Sequence, residues 1–164
     1  YHSHIWDVTT YFGVEDVDLW GGELELSYAH PAFYVDVNAG ISRGSTDNGT
    51  AHFRQASGRQ AQVALGKRFF DDQLDLSFEA KHAWDHDKTP VAAPAAGENP
   101  SAFSPTDAYT VYTISSTYKP NSGPLEGVEV NASIENLFDK EYRAYGNTRN
   151  GIGRTFKLSL AKTF

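Results

Sequence analysis

The side chains best suited to hold a ligand lie in polar segments between patterned stretches of the chain. His52, Phe53 and Arg54 are consecutive, His86 ends one patterned stretch, and Arg149 lies in a polar segment near the C-terminus. Arginine can grip a carboxylate with two parallel hydrogen bonds, and neutral histidine is a common metal ligand. We therefore predict that these five residues contact a ligand, the alternative being that each is a solvated loop residue.

Catalytic and metal-binding motifs have little support in this sequence. His2 and His4 share one strand face, as do His82 and His86, but neither pair has the evident third ligand that a zinc site requires. The absence of Cys removes thiolate metal sites and cysteine catalysis. We predict a chain that is not an enzyme and has neither a metal site nor an intrinsic cofactor.

The composition excludes further classes of protein. The chain has 164 residues, a net charge of −7, 40% hydrophobic residues and a mean hydropathy of −0.49. Nucleic-acid binding requires clustered Lys and Arg, so the acidic balance argues against a nucleic-acid partner. No stretch approaches the ~18 consecutive apolar residues of a membrane-spanning helix. A membrane β-barrel is still allowed, because only alternate residues of its strands face lipid.

Alternation of apolar and polar residues dominates the chain. In one run Leu74, Leu76 and Phe78 alternate with Asp75 and Ser77. Similar runs occupy residues 22–29, 33–41, 128–135 and 156–161. Since successive side chains of a strand point to opposite sides of a sheet, each run predicts a strand with one apolar and one polar face. We predict an all-β chain of about seven strands.

Short and long breaks alternate between these runs. Three breaks are short or moderate, at residues 30–31, 71–73 and 119–127. Three others are longer and polar, at residues 42–57, 88–105 and 143–151. Long strands joined by short turns on one side and long loops on the other are typical of a transmembrane antiparallel β-barrel. A soluble β-sandwich with solvated polar faces is the alternative.

The strand count predicts an incomplete barrel. Bacterial barrels have an even number of strands, so their two chain ends lie together. With the odd number predicted here, the chain would begin outside and end inside. The chain also lacks Met, so we expect it not to begin at its own translation start. An open sheet edge in lipid would leave backbone groups unsatisfied, which calls for further strands. We expect residues 1–164 to be the C-terminal part of a barrel whose other strands come from elsewhere in a longer chain.

Two segments near the C-terminus resemble those of TonB-dependent outer-membrane receptors. The first matches that family's NLFDKxY motif and consists of Asn136, Leu137, Phe138, Asp139, Lys140, Glu141 and Tyr142. The second, residues 153–164, is similar to the closing strand of that family with its terminal aromatic residue. Residues 21–26 also resemble a GxELE-type segment several strands earlier, although Gly21-Gly22 stands where many members have an aliphatic residue beside the Gly.

This resemblance implies an architecture and a set of partners. It implies the last seven strands of a 22-stranded barrel with a plugged lumen, in the outer membrane of a Gram-negative bacterium. Such receptors bind scarce nutrients outside the cell and import them with energy from the TonB complex, which pulls on the plug. The expected partners are the remaining barrel and plug, the TonB complex acting through that plug, outer-membrane lipid and the assembly machinery.

The resemblance also assigns roles to residues near the C-terminus. The motif residues Asn136, Leu137, Phe138, Asp139 and Tyr142 are expected to be structural, since short polar side chains can bond to nearby backbone. Four apolar residues share one parity of the closing strand and are expected to face lipid: Phe156, Leu158, Leu160 and Phe164. The same residues form the C-terminal signal that the resemblance implies for the assembly machinery.

The resemblance implies a nutrient such as a ferric siderophore, haem or cobalamin, and we predict an iron-containing ligand, either haem or a ferric siderophore. Residues 66–70 and 72–76 look like the haem-receptor branch, so haem is slightly favoured, with a haemoprotein or haemophore as a further partner. Histidine can ligate haem iron, and arginine can pair with carboxylates of either ligand. A non-transporting outer-membrane barrel or adhesin and a soluble β-sandwich binding module are the alternatives.

Overall fold

The computed structural model describes residues 17–46, 58–86 and 105–163. Seven strands form one antiparallel sheet in chain order: β1 (Val17–His30), β2 (Phe33–Thr46), β3 (Gly58–Phe69), β4 (Leu74–Ala83), β5 (Tyr109–Tyr118), β6 (Val128–Glu135) and β7 (Thr155–Lys162). A short 3-10 helix, Gly123–Leu125, lies between β5 and β6. The predicted all-β fold is thus confirmed. Among the described residues, no helix is long and apolar enough to cross a membrane.

Short connections join the strands at one end of the sheet, which we call the turn end. Pro31 and Ala32 alone link β1 to β2, and the Ala32 amide donates a 3.1 Å hydrogen bond to Nδ1 of His30. The sequence predicts this turn at residues 30–31, but His30 is still paired with Phe33. Proline has no N–H to give to a strand ladder, so the turn begins at Pro31, one residue later than predicted.

The β3–β4 turn has an unusual backbone. Phe70, Asp71 and Asp72 take positive φ values of 56°, 53° and 63°. This region is costly for most residues, although Asp tolerates it better than Phe. The Gln73 amide closes the turn by donating to the Phe70 carbonyl at 3.2 Å.

The opposite end of the sheet, which we call the loop end, has the three longer connections. Of these, the structure describes the β6–β7 connection completely, as residues 136–154. Residues 47–57 and 87–104 of the other two lie outside the described residues. Short connections at the turn end and long ones at the loop end follow the arrangement predicted from the sequence.

One face of the sheet is apolar across its whole width. Leu26 pairs with Val37, and Val37 pairs in turn with Val63, so apolar side chains meet across successive strands. Exposed members of this face include Leu24, Leu65, Leu76, Phe78, Ile114, Phe156, Leu158 and Leu160. Among the described residues no large side chain is fully buried, so the sheet encloses no core of its own. A face of this kind suits the lipid side of a barrel.

The other face is polar and carries cross-strand hydrogen bonds. Nε2 of Gln62 donates to Oε2 of Glu79 at 2.8 Å, between β3 and β4. The hydroxyl of Thr117 donates to Oδ1 of Asn131 at 2.7 Å, between β5 and β6. A water-facing barrel interior accommodates such side chains without a desolvation penalty.

Candidate functional site

The candidate site lies at the loop end, where strand pairing continues past the ends of β4 and β5. The backbone amide of His86 donates to the Thr106 carbonyl at 2.9 Å, and the Thr106 amide donates to the His86 carbonyl at 3.0 Å. This two-bond bridge fixes the backbone of His86 relative to the sheet. The His86 imidazole is therefore attached to a backbone position that is hydrogen-bonded to a neighbouring segment, and not to an unpaired loop.

Tyr145, from the β6–β7 connection, packs on His86. The centroids of the two rings are 3.7 Å apart, and the ring planes are inclined by 36°. Gly58, at the start of β3, also lies against this histidine, because a Cβ built on it would be 3.2 Å from Nδ1. Gly58 has a φ of +74°, a conformation that favours glycine. We call His86, Tyr145 and Gly58 the loop-end cluster.

The Tyr145 hydroxyl is the chemically unusual atom of this cluster. It is buried, and within residues 17–46, 58–86 and 105–163 it has no hydrogen-bond partner. Burial raises the pKa of the Tyr145 phenol, because the phenolate form would lose its hydration. Tyr145 is therefore neutral at physiological pH. A buried polar group without a partner is costly, so it is a candidate for contact with a ligand.

Arg143 holds the β6–β7 connection over the loop end. Its Nη2 donates to the Pro105 carbonyl at 2.8 Å, and its Nη1 donates to the Asn147 carbonyl at 3.1 Å. Tyr142 lies beside Tyr109 of β5, with ring centroids 4.4 Å apart. These contacts join the connection that carries Tyr145 to the segment that pairs with His86.

Asn136 and Asp139 fix the start of the same connection. Both have positive φ values, 50° and 53°. Asn136 is only 6% exposed, and its Nδ2 donates to the carbonyls of Lys140 and Ile152 at 2.9 and 3.1 Å. Oδ1 of Asn136 accepts from the Lys140 amide at 2.9 Å, and Oδ1 of Asp139 accepts from the Arg154 amide at 2.8 Å. Both side chains therefore tie the two ends of the connection together.

The two apolar residues of the motif, Leu137 and Phe138, contact β5. The Leu137 amide donates to the Tyr112 carbonyl of β5 at 2.8 Å, which extends the β5–β6 pairing. Phe138 is 67% exposed and meets the Tyr112 ring edge-on, with centroids 5.3 Å apart. Phe138 thus packs against the apolar face, to which Tyr112 belongs, and not against the polar face.

The structure places some of the ligand residues predicted from the sequence. His86 belongs to the loop-end cluster, and Arg149 is exposed in the connection that carries Tyr145. His52, Phe53 and Arg54 lie outside the described residues, as does Phe164. Phe156, Leu158 and Leu160 all lie on the exposed apolar face. In the part of the chain that the structure describes, no three His, Asp or Glu side chains form a metal-binding group.

Tyr145 was not among the residues singled out by sequence reasoning. Its neighbours in the chain, Ala144 and Gly146, form no recognisable motif with it. Only the docking of the β6–β7 connection brings it to His86. The single local signal was the polar character of residues 143–151, which indicated a loop but no particular side chain.

Comparison with known proteins shows which fold this is. No protein-family model matches the chain. The FrpB iron transporter of Neisseria meningitidis aligns with a TM-score of 0.70 and 19% identity, over 88% of this chain and 23% of that one. The copper transporter OprC aligns with a TM-score of 0.74 and 18% identity, over 92% of this chain and 24% of that one. The fold is that of a TonB-dependent outer-membrane receptor barrel.

A curated relative extends the comparison to sequence. The heme/hemopexin utilization protein C of Haemophilus influenzae is 21% identical over 154 residues, which are 94% of this chain and 20% of that protein. The chain thus spans about a fifth of the length of this relative. At these identities the likeness establishes a shared fold. The TonB-dependent receptors that share it are transporters of the Gram-negative outer membrane and not enzymes.

Proposed function

We propose that this chain forms the last seven strands of the 22-stranded barrel of an outer-membrane receptor, and that the receptor imports an iron-containing ligand. Haem is slightly favoured over a ferric siderophore. The named relatives support a metal-containing ligand, since one is an iron transporter, one a copper transporter and one a heme/hemopexin utilization protein. On this proposal a haemoprotein or haemophore delivers the haem.

The observation that carries the choice of haem is the contact between His86 and Tyr145. Histidine and tyrosine are both side chains that bind haem iron in proteins. Here their rings lie 3.7 Å apart at the loop end, which is the outer side of such a barrel. Arg149, exposed in the same connection, supplies a guanidinium that can pair with a propionate carboxylate.

The edges of the sheet support the proposal that other strands complete the barrel. In the described sheet, β1 and β7 each pair with one neighbour only. Their outer backbone groups would be unsatisfied in lipid, where water cannot replace the missing strand. On this proposal the remaining barrel closes both edges, the plug fills the polar interior, and the TonB complex acts through that plug. Phe156, Leu158, Leu160 and Phe164 then supply the signal for the assembly machinery.

Haemin titration of the complete receptor in detergent tests the ligand. The variants His86→Ala and Tyr145→Phe should each weaken haemin binding and alter the Soret band. We expect at least the roughly tenfold loss that follows when a metal ligand's support is disturbed. His30→Ala is the matched control, because His30 lies at the turn end and contacts Phe33 there. It should leave haemin binding unchanged.

Two outcomes would contradict different parts of the proposal, the first the site of haem binding and the second the choice of haem as the ligand. If the double variant of His86 and Tyr145 binds haemin like the parent, the loop-end cluster is not the haem site. If the parent imports a ferric siderophore but not haemin, the receptor function stands and the choice of haem is wrong.

A further inference from the structure

Tyr145 lies at the tip of a tight turn in the β6–β7 connection. The Asn147 amide donates to the Ala144 carbonyl at 3.1 Å and closes this turn. Tyr145 and Gly146 are its two central residues. Gly146 is buried and has a φ of 80°, and a positive φ at the third residue of a turn favours glycine. The backbone of the turn therefore sets the direction in which the Tyr145 side chain leaves the connection.

Arg143 forms a second hydrogen bond around the same turn. Its Nη1 donates to the Asn147 carbonyl, four residues later, at 3.1 Å. The backbone just before Arg143 is held as well, because the Gly151 amide donates to the Tyr142 carbonyl at 2.7 Å. A Cβ at Gly151 would be only 2.2 Å from Cζ of Tyr142, so the two segments are in close contact there. The turn that carries Tyr145 is thus fixed at both of its ends.

The other end of the Arg143 guanidinium reaches outside the connection. Its Nη2 donates to the Pro105 carbonyl at 2.8 Å. Pro105 directly precedes Thr106, whose backbone is bonded twice to that of His86. One planar side chain therefore joins the turn that carries Tyr145 to the segment that pairs with His86. A guanidinium suits this task, because it is a charged donor whose N–H groups are held in a rigid fork.

We propose that Arg143 is a positioning residue that arranges Tyr145 against His86 before the ligand arrives. Both of its Nη atoms donate to backbone carbonyls, so it acts through the position of the turn and not by contact with the ligand. Loss of the side chain releases the turn, and only the docked fraction of the receptor then binds. The apparent affinity falls in proportion to that fraction. The identity of the ligand rests on the proposed function, whereas the docking of Tyr145 is testable without any ligand.

The first test is nitration of the complete receptor by tetranitromethane, in detergent and without ligand. This reagent modifies accessible phenols, and peptide mass spectrometry measures Tyr145 separately from the other tyrosines. In the parent, packing against His86 protects Tyr145. In Arg143→Ala its nitration should rise several-fold. Arg143→Lys should give an intermediate value, because an ammonium group lacks the fork that reaches both carbonyls.

Arg154→Ala is the matched control. Arg154 is an exposed arginine at the end of the same connection, and its hydrogen bond to Asp139 is made by the backbone amide. Alanine keeps that bond, so nitration of Tyr145 should stay at the parent level. Thermal unfolding of each variant checks that the barrel as a whole is unchanged. Arg143→Lys carries the test if Arg143→Ala does not fold.

The second test is the rate of haemin binding, measured by stopped flow. If Arg143 acts by positioning, its loss lowers the association rate and leaves the dissociation rate unchanged, because every receptor with bound ligand is docked. We expect the association rate of Arg143→Ala to fall about tenfold or more, as when the support of a ligand-binding side chain is removed. A residue that only stabilised the barrel would change thermal unfolding and neither rate.

Two results would overturn the inference. One is nitration of Tyr145 at the parent level in a folded Arg143→Ala receptor. The other is faster dissociation of haemin with an unchanged association rate, which would make Arg143 a ligand contact. If the parent does not bind haemin while nitration of Tyr145 rises in Arg143→Ala, the choice of haem is wrong and the positioning role stands.

Discussion

The hydroxyl of Tyr34 on β2 donates a 2.9 Å hydrogen bond to Oδ1 of Asp75 on β4, across the intervening strand β3. The ring can cross because Gly66 of β3 lies beneath it: a Cβ at Gly66 would be 1.9 Å from Cζ of Tyr34. Arg68 completes the group, with Nε 3.4 Å from Oδ2 of Asp75 and Cζ 5.3 Å from the Tyr34 ring centroid. Three strands are thus connected on the polar face near the turn end.

Gly66→Ala should weaken this connection. The added methyl group would displace the Tyr34 ring and break its hydrogen bond to a charged acceptor, at a cost of about 2 kcal/mol in the free energy of unfolding. Urea unfolding of the complete receptor in detergent measures the loss. In a Tyr34→Ala background the same change should cost much less. Equal costs in the two backgrounds would show that Gly66 is needed for some other reason.

Gly21 and Gly22 on β1 offer a matched pair. A Cβ at Gly21 would lie 2.6 Å from the Ile41 carbonyl oxygen, whereas a Cβ at Gly22 meets nothing within 4 Å. Gly21→Ala should therefore destabilise the receptor by about 1–3 kcal/mol, as overpacking does. Gly22→Ala should be neutral or stabilise by up to about 1 kcal/mol. Thermal unfolding of both variants measures the difference, and a reversed order would contradict the described β1–β2 register.

Asn136→Ala should be costly because three hydrogen bonds of a buried side chain are lost together. We expect a loss of about 2–3 kcal/mol and greater protease sensitivity of the β6–β7 connection. Asn136→Asp keeps the acceptor but loses both donors, so it should also destabilise. The control is Asn150→Ala, since Asn150 is exposed and its side chain donates to the exposed Glu141. A stable Asn136→Ala receptor would remove the proposed structural role of this residue.

Leu158 and Ser159 test which face of β7 meets lipid. Leu158 is 77% exposed on the apolar face, and Ser159 pairs with Asn131 on the polar face. Leu158→Arg should cost about 2–4 kcal/mol if the position lies near the bilayer midplane. Ser159→Arg should cost far less, because its side chain reaches water in the barrel interior. Folding yield into lipid vesicles compares the two, and equal penalties would contradict the assignment of faces.

Tyr145 should produce a dependence of stability on alkaline pH. Its pKa is higher in the folded protein than in the unfolded chain, because burial disfavours the phenolate. Stability is therefore unaffected below the ordinary phenol pKa of about 10 and declines as the pH rises through the raised value. Tyr145→Phe should decline less over the same range. Spectrophotometric titration at alkaline pH should also show one fewer late-titrating tyrosine, and an unchanged titration would contradict this assignment.

The sequence predicted β1, β2, β4, β6 and β7 directly, because alternation is a local signal, whereas β3 and β5 were predicted only through the strand count. Alternation identifies the faces of β1 and β4 from neighbouring residues alone, and the resulting fold is the one observed. The error at the first turn was one residue, and its cause is the missing N–H of Pro31. In contrast, the contact of Tyr145 with His86 depends on how separate segments align. Register and loop docking bring these side chains together, and no short stretch of sequence encodes either.

The strand order has a consequence for how this sheet forms and varies. Within the described sheet, every strand pairs only with the strands before and after it in the chain. This order allows growth one hairpin at a time, because each completed strand offers its free edge to the next. Insertions at the loop end leave the register of neighbouring hairpins unchanged. The outer surface can therefore diverge rapidly between related proteins while the membrane-spanning wall stays the same.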